Sequence, residues 1–551
     1  MLVTFFFTLF LLFSILGYSG FFKQFVFSKN NLIVKNIDFI YGYFFLTSIS
    51  LLFNFFMPLR YISSIVLILG FISFIYFSYN KIYKINFFTL LVICFILILI
   101  THEQGIAYDS GLYHLQTIEL NSNYKTILGI GNLQPHYGMN SSWHSFLSLI
   151  NYNFLGANFL DMNFIYLGNI SLFIFFINEI FKKDFFLNKK LSDIFLIFSI
   201  LYIIFYSYFH PYGNGTILNS LGSPETDTVS MIFFILTVYL FCLTLHGNDI
   251  NNFYLFSILI FLVITIKISY VGVFLFFIYI LFKEKKKYFL NKVIYVVLFI
   301  SFFWFLKSVF LTGCLIFPIE LTCLKTGWAM KLDEVEGYRM IVQSFARDTP
   351  LRSMFTNFEF TLNSNKWILP WFKDYFLKTE FLLVSTIIII TNILIILIFY
   401  FFKKNINNFK TKKINLLIIT ILFLNLLIWF RAPEIRFGYG SIISLVAFLS
   451  SIVILQIDLK FINKYLIYSV FLLIISSLVL KNKDNLHTFS NKSFFKNFDY
   501  SNFKVIYITN GYKVYMPTQD NFCNAFTGFC TYQGYKVTIK KKYNRLLMSR
   551  N

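Results

Sequence analysis

The sequence predicts an all-α polytopic membrane protein. Of its 551 residues, 58% are hydrophobic and only 13% are charged, whereas soluble globular chains carry about 25% charged residues. The hydrophobic residues form runs long enough to cross a bilayer, since about 20 helical residues span the hydrocarbon core. We expect about 12–14 transmembrane helices, large extracytoplasmic loops and a small C-terminal extracytoplasmic cap.

The predicted spans follow from the apolar runs, which lie near 2–21, 38–57, 61–79, 85–101, 162–181, 191–209, 226–246, 289–311, 379–402, 414–430, 437–456 and 463–480. A further run, 253–282, is too long for one ordinary span and has Lys267 at its middle. It forms either one long tilted helix or a hairpin of two helices. The hairpin is favoured, because it puts the short lysine-rich loops on one side of the membrane.

The lysine-rich loops also predict the orientation. If they face the cytoplasm, both termini, the 102–145 loop and the 312–378 loop lie outside it. These loops account for the net charge of +22, so we expect a lipid bilayer and no nucleic acid as partner. Four cysteines form two close pairs in segments assigned to the outside, where disulfides persist. The candidate disulfides are Cys314–Cys323 and Cys523–Cys530.

The chain divides into a transmembrane domain, 1–480, and a tail, 481–551, of different character. The tail contains short β-like stretches around an Asn-Gly pair at 510–511, which is a hairpin signal. We expect a small α/β or β extracytoplasmic cap, pinned by the second cysteine pair.

The first large loop, 102–145, concentrates acidic, histidine and aromatic side chains, although the chain has only 25 acidic residues and 7 histidines. Asp109 either caps a helix that runs to Leu120 or serves as a general base just above the bilayer. We expect these residues to bind substrate: Tyr108, Tyr113, His114, His136, Asn140 and Trp143. No close metal-ligand spacing occurs here, so no metal ligands are predicted, and a divalent cation cofactor stays open.

Charged residues also stand at other boundaries between loops and spans. Glu225 and Asp227 are either carboxylates stabilised by a helix N-terminus or a second acidic wall of the same cavity. Lys267 binds a lipid-linked phosphate, snorkels, or pairs with Asp227. Arg431 and Arg436, on either side of a proline, form either a phosphate clamp or part of an interfacial Arg–Glu pair.

The segments YDSGLYHLQ, GNLQPHYGMNSSW, SPETD and PEIRFGYG resemble a group of bacterial integral membrane proteins that are similar to GT-C class glycosyltransferases. GT-C proteins place an acidic loop after the first helix, whereas three further spans precede it here. The resemblance implies a GT-C-like fold and a polyprenyl-phosphate-linked sugar donor, used at the outer face of the bacterial inner membrane. It also implies Asp109 as acceptor base or metal-associated carboxylate, and Arg436 as a ligand of the donor phosphate.

We therefore expect a membrane glycosyltransferase of surface-polysaccharide or glycolipid assembly, with a glycan or lipid as acceptor. The catalytic candidates are Asp109, Asp227 and Glu225, and the phosphate ligands are Lys267, Arg431 and Arg436. The alternatives are a polysaccharide polymerase or ligase, and a transporter or flippase of lipid-linked sugars. A transporter predicts charges along the middles of several spans, whereas here the polar residues gather in the loops.

Overall fold

The computed structural model describes most of the chain, namely residues 2–27, 33–101, 108–151, 164–181, 190–209, 221–246, 249–283, 291–348, 358–402, 409–456, 503–518, 522–524, 526, 528–533, 535–542 and 544–550. Within these ranges the fold is mostly helical. The α-helices are α1 (Leu2–Val26), α2 (Phe39–Asn54), α3 (Arg60–Tyr79), α4 (Phe87–Thr101), α5 (Leu115–Asn123), α6 (Ser142–Ile150), α7 (Leu167–Asn178), α8 (Leu191–Phe209), α9 (Thr226–His246), α10 (Ile250–Ile266), α11 (Phe274–Lys283), α12 (Lys292–Thr312), α13 (Leu332–Arg347), α14 (Phe358–Leu362), α15 (Ile368–Pro370), α16 (Glu380–Phe402), α17 (Phe409–Trp429) and α18 (Ile435–Gln456).

Seven helical segments in the described ranges are long and apolar enough to cross a membrane: Thr4–Val26, Asn36–Asn54, Arg60–Tyr79, Thr226–Leu245, Lys292–Thr312, Glu380–Ile398 and Ile435–Leu455. Shorter apolar helices accompany them, and their bounds lie within a few residues of the predicted runs. The chain is therefore a multi-pass membrane protein, as predicted. The predicted span 463–480 lies outside the described residues.

Two spans form the centre of the helical domain. In the apolar segments of α9 and α18, 89% of the residues are buried within the protein, whereas 22% are buried in α16 and 28% in α3. Both central helices are therefore mostly buried, and their first turns lie largely within the protein. Charged residues in those turns must therefore find partners there.

The long run at 253–282 is interrupted at Lys267. Helix α10 ends at Ile266, Lys267 is extended (φ −147°, ψ 110°), and a 3₁₀ segment, Ile268–Val273, leads into α11. The run therefore forms two helices, α10 and α11, separated by Lys267 and the 3₁₀ segment, rather than one long helix.

Helices α1 and α3 pack at very short range through glycines. A Cβ atom on Gly17 would lie 1.9 Å from the carbonyl oxygen of Gly70. Close approach also lets Ser14 and Tyr18 donate hydrogen bonds to backbone carbonyls of α3, at 2.8 and 2.6 Å. Small residues commonly permit such contact between membrane helices.

Replacing Gly17 with valine should therefore destabilise the helical domain. The new side chain must push the two backbones apart, and overpacking of this kind costs about 1–3 kcal/mol. The control is Gly337→Ala, because a Cβ on that α13 glycine meets nothing within 4 Å. The melting temperature of the purified protein should fall for Gly17→Val and hold or rise for Gly337→Ala. Equal melting temperatures would show that α1 and α3 do not pack this tightly.

The tail is a β structure in its described part. The strands of the chain are β1 (Val34–Lys35), β2 (Tyr83–Lys84), β3 (Phe503–Thr509), β4 (Tyr512–Pro517), β5 (Phe529–Cys530), β6 (Thr538–Lys542) and β7 (Arg545–Ser549). Strands β3 and β4 form the predicted hairpin, with Asn510 and Gly511 at positive φ as a type I′ turn requires. Strand β5 adds to β4 in parallel, β6 pairs with β7, and β1 pairs with β2 in the helical domain.

The tail covers the first large loop. Leu128 exchanges backbone hydrogen bonds with Leu546 and Met548 in β7, at 2.9 and 2.8 Å. The hydroxyl of Tyr137 donates to the carbonyl of Cys530 at 2.9 Å. We call residues 503–550 the cap and the side of the protein that it covers the cap face.

Both cysteine pairs are disulfide-bonded in the structure. Cys523–Cys530 lies within the cap, next to the loop that it covers. Cys314–Cys323 closes a turn directly after α12.

Candidate functional site

Charged side chains from four distant segments meet at the cap face. Arg436, in the first turn of α18, donates to the carboxylate of Asp109 at 2.5 Å. Lys267, between α10 and α11, pairs with Asp227 in the first turn of α9. Glu434 lies 3.8 Å from the Nε atom of Arg436. We call these five residues the charged cluster.

Asp227 links the two cations of the cluster. Its Oδ1 atom pairs with Lys267 and its Oδ2 atom lies 4.0 Å from the guanidinium of Arg436. The ring of Phe437 lies beside both cations, with its centroid 4.1 Å from Lys267 Nζ and 5.6 Å from Arg436 Cζ. Asp227 is thus the anion that both cations share, and opposite charges a few ångströms apart attract strongly in a partly buried site.

The charged cluster is partly accessible. The side chain of Arg436 is 25% exposed and that of Asp109 21% exposed. Part of each of these two side chains therefore lies at the protein surface.

Glu225 precedes α9 and adds a further acidic group. Burial raises the pKa of this carboxyl to about 7, while Arg436 lowers it and Asp109 raises it. Near neutral pH Glu225 therefore carries a proton for much of the time. A carboxyl with this pKa can donate or accept a proton during a reaction.

Asp109 is not a helix cap, which corrects one of the two interpretations of this residue. It precedes a π-helical turn, Ser110–His114, and its side chain makes no capping hydrogen bond. The turn is fixed instead by hydroxyls: Ser223 donates to Ser110 at 2.7 Å, and Ser110 lies 3.2 Å from His114 Nδ1. The segment that carries Asp109 is therefore tied to the segment before α9.

Aromatic and histidine side chains pack beside the charged cluster. The ring of Tyr113 lies 4.7 Å from that of His136, and His114 lies 4.6 Å from His144. The cap contributes Tyr532, whose hydroxyl lies 3.0 Å from His136 Nδ1. Burial lowers the pKa of His136 to about 4, although Asp109 acts in the opposite direction.

These histidines predict the pH dependence of stability. An unfolded chain protonates His136 near its usual pKa of 6.5, whereas the folded chain resists protonation until about pH 4. Acid therefore favours the unfolded state by about 1.4 kcal/mol per pH unit between these values. Burial also lowers the pKa of His114 and of His144, which adds to the effect. Glu225 opposes it, because its raised pKa stabilises the folded state as the pH falls through 7.

The contribution of one histidine is tested with His136→Gln. Melting temperatures measured from pH 7.5 down to pH 4.5 should fall less steeply for this variant than for the wild type. Parallel curves would mean that His136 is protonated equally in both states.

Trp143 and Asn140, both predicted to bind substrate, donate hydrogen bonds to other groups of the protein. Trp143 is only 1% exposed and its indole N–H donates to Asn169 at 2.8 Å. The Asn169 amide in turn donates to the carbonyls of Ser223 and Glu225. Trp143 therefore supports the segment before α9 through Asn169. Asn140 donates to the carbonyl of Trp304 at 2.7 Å, in a different cleft.

Two others lie at the surface. Arg431 is exposed, and its carbonyl accepts a hydrogen bond from Arg347. It forms no described ion pair with the charged cluster, so the structure does not support a clamp made of Arg431 and Arg436 together. Tyr108 is 62% exposed and packs against Phe522 of the cap.

Glu434 and Phe437 also belong to the site, although Glu434 was expected only as the partner in an interfacial Arg–Glu pair and Phe437 was not among the predicted site residues. Both flank Arg436 in the segment PEIRFGYG, so proximity to the arginine was the available signal. No local pattern indicates that Phe437 contacts Lys267, which lies 170 positions earlier in the chain.

The acidic residues do not fit a metal ion. Each aspartate of the charged cluster faces a basic side chain, whose charge opposes a cation. In the described part of the chain, no three His, Cys, Asp or Glu residues are grouped as metal ligands.

Comparison with known proteins places the chain in a family. No curated protein and no solved structure matches it. Residues 1–443, which include every member of the charged cluster, match a family described as a domain of unknown function (DUF8201). The match covers most of the chain, so the protein is a member of the DUF8201 family.

Proposed function

We propose that the protein is a glycosyltransferase that uses a polyprenyl-phosphate-linked sugar at the cap face, outside the cytoplasm of a bacterial inner membrane. One observation carries the proposal: Arg436 and Lys267 flank Asp227 in a partly accessible cluster at the end of two central spans. That position suits a lipid-linked donor, since its phosphate lies at the membrane boundary while its chain stays among the helices.

The two cations suit a donor phosphate. Guanidinium binds phosphate oxygens through paired hydrogen bonds, and a lysine adds a second positive charge. The donor phosphate would compete with Asp109 and Asp227 for these cations. A bound phosphate would therefore release the Asp109 carboxylate from Arg436.

The released carboxylate supplies the base. The acceptor hydroxyl attacks the anomeric carbon of the sugar, and the bond between that carbon and the phosphate oxygen breaks. Asp109 takes the proton of the hydroxyl, and polyprenyl phosphate leaves with the electron pair. Arg436 and Lys267 stabilise the charge that develops on the leaving phosphate.

A disulfide in the cap supports the proposed position of the cap outside the cytoplasm. Cys523–Cys530 lies in the cap, and such bonds persist in oxidising compartments outside the cytoplasm.

The proposal is tested in a bacterium that carries the gene. Deletion should reduce a surface glycan and cause a lipid-linked sugar to accumulate in membrane extracts. The wild-type gene should restore both, and Arg436→Met should restore neither at equal protein level. The control is Arg339→Met, because Arg339 lies in α13 and pairs with Glu320, outside the charged cluster. Unchanged glycan and lipid-linked sugars after deletion would refute the proposal.

A further inference from the structure

A second basic site lies apart from the charged cluster, around Lys307 near the cap-face end of α12. This lysine is 1% exposed, and its ammonium donates to the hydroxyl of Ser145 at 3.0 Å. Within the described ranges it pairs with no carboxylate. A buried cation is costly without an opposite charge. The ammonium of Lys307 has a hydrogen-bond acceptor in Ser145 but no described anion beside it.

Lys307 faces a cleft between α12 and the first large loop. The empty space of the cleft, including its open mouth, is about 400 Å³. Lys125, Asn140 and Ser141 contribute polar groups to its wall, and none of the lining residues is acidic. The cleft is therefore positively charged, in contrast to the charged cluster, where the acidic residues outnumber the basic ones.

Two buried polar atoms in the wall make no hydrogen bond within the protein. They are the hydroxyl oxygen of Ser141 and the Oδ1 atom of Asn140. The amide nitrogen of Asn140 is committed to the carbonyl of Trp304, which fixes Oδ1 as the acceptor. The cleft thus offers an ammonium and a hydroxyl as donors, and one acceptor.

We infer that this cleft binds a phosphate monoester or free phosphate. Two lysines match its charge, which is about −1.5 to −2 near neutral pH. Phosphate oxygens accept hydrogen bonds from Lys307 and Ser141, while the rest of the ligand lies toward Lys125. The P–OH group that free phosphate keeps as a dianion, or that a monoester keeps as a monoanion, can donate to Asn140. A carboxylate has a single charge and, when ionised, no proton to donate to that acceptor.

The inference does not depend on the proposed function, because it concerns different residues. The test uses the full-length protein in detergent and inorganic phosphate as the probe, with chloride at matched ionic strength as the reference. Phosphate should raise the melting temperature of the wild type in a saturable manner. Lys307→Met should weaken the apparent affinity by about tenfold or more, as expected for loss of a charge-assisted hydrogen bond.

Two further variants make the test specific. Lys307→Arg keeps the charge and should retain phosphate binding, which guards against misfolding of the methionine variant. Lys378→Met removes an exposed cation outside the cleft lining and should leave the response to phosphate intact. Retention of the response at undiminished affinity in Lys307→Met would overturn the inference. Absence of any response in the wild type would also overturn it.

The source of the phosphate is distinguished in nanodiscs. In discs of phosphatidylcholine, added phosphate should raise the melting temperature as in detergent. If phosphatidic acid in the discs abolishes this response in the wild type, the natural occupant is a lipid head group. If the response persists, the occupant is a soluble phosphate.

Discussion

Asp109→Asn should lower the rate of sugar transfer by about 10²–10⁴-fold, the contribution of a general base. Asparagine keeps the size of the side chain and can still accept a hydrogen bond from Arg436, but it cannot take the acceptor proton. The measurement is release of polyprenyl phosphate by the purified protein in proteoliposomes that contain lipid-linked sugar.

The same variant should bind the donor at least as tightly as the wild type. Asp109 accepts a hydrogen bond from Arg436, so under the proposed function it competes with the donor phosphate for this guanidinium, and the amide should compete less. Slow turnover with an unchanged or lower KM therefore indicates a lost base, whereas a raised KM indicates a lost binding group. Asp333→Asn, an exposed change in α13, is the control and should behave as the wild type. Normal turnover in Asp109→Asn would exclude Asp109 as the base.

Asp227→Leu should produce the largest loss of stability among changes in the charged cluster, about 3–5 kcal/mol. Asp227 is the partner with which Lys267 forms its ion pair, and both side chains are largely buried. Removing the carboxylate leaves an ammonium near the guanidinium of Arg436. The reverse change, Lys267→Met, should cost less, because Asp227 keeps Arg436 at 4.0 Å.

A double-mutant cycle tests this asymmetry. The variant with both Lys267→Met and Asp227→Leu should recover most of the stability lost in Asp227→Leu, since no unpaired charge remains. The control Asp374→Leu removes an exposed pair with Lys378 and should change stability by about 0.5 kcal/mol or less. Additive losses in the double variant would show that Lys267 and Asp227 are not coupled.

Much of the fold could be predicted from local patterns. Helix bounds follow apolar runs because the bilayer selects length and composition, so the run 226–246 became α9 without change. The turn at 510–511 was predictable because the type I′ turn requires positive φ, which Asn and Gly adopt readily. The break at Lys267 was indicated by a charge within thirty apolar residues.

The site could be predicted only in part. Charged residues at boundaries between loops and spans were expected to need partners, and the structure pairs them. The pair of Lys267 with Asp227 was one of the open alternatives. The contact between Arg436 and Asp109 joins residues 327 positions apart, which no local pattern reveals. Arg431 and Arg436 looked equivalent, but α18 begins at Ile435, so only Arg436 belongs to a central helix. Trp143 is aromatic and lies in a polar loop, but its side chain is buried and donates a hydrogen bond to Asn169.

Native mass spectrometry of the purified protein tests most directly whether the charged cluster holds the phosphate of a lipid-linked sugar. The wild type and Asp109→Asn should each retain one polyprenyl-phosphate-linked sugar, because both keep Arg436 and Lys267. Arg436→Met should lose it, whereas Arg339→Met should retain it. Equal retention by Arg436→Met, or no such lipid on any of the four proteins, would contradict the account.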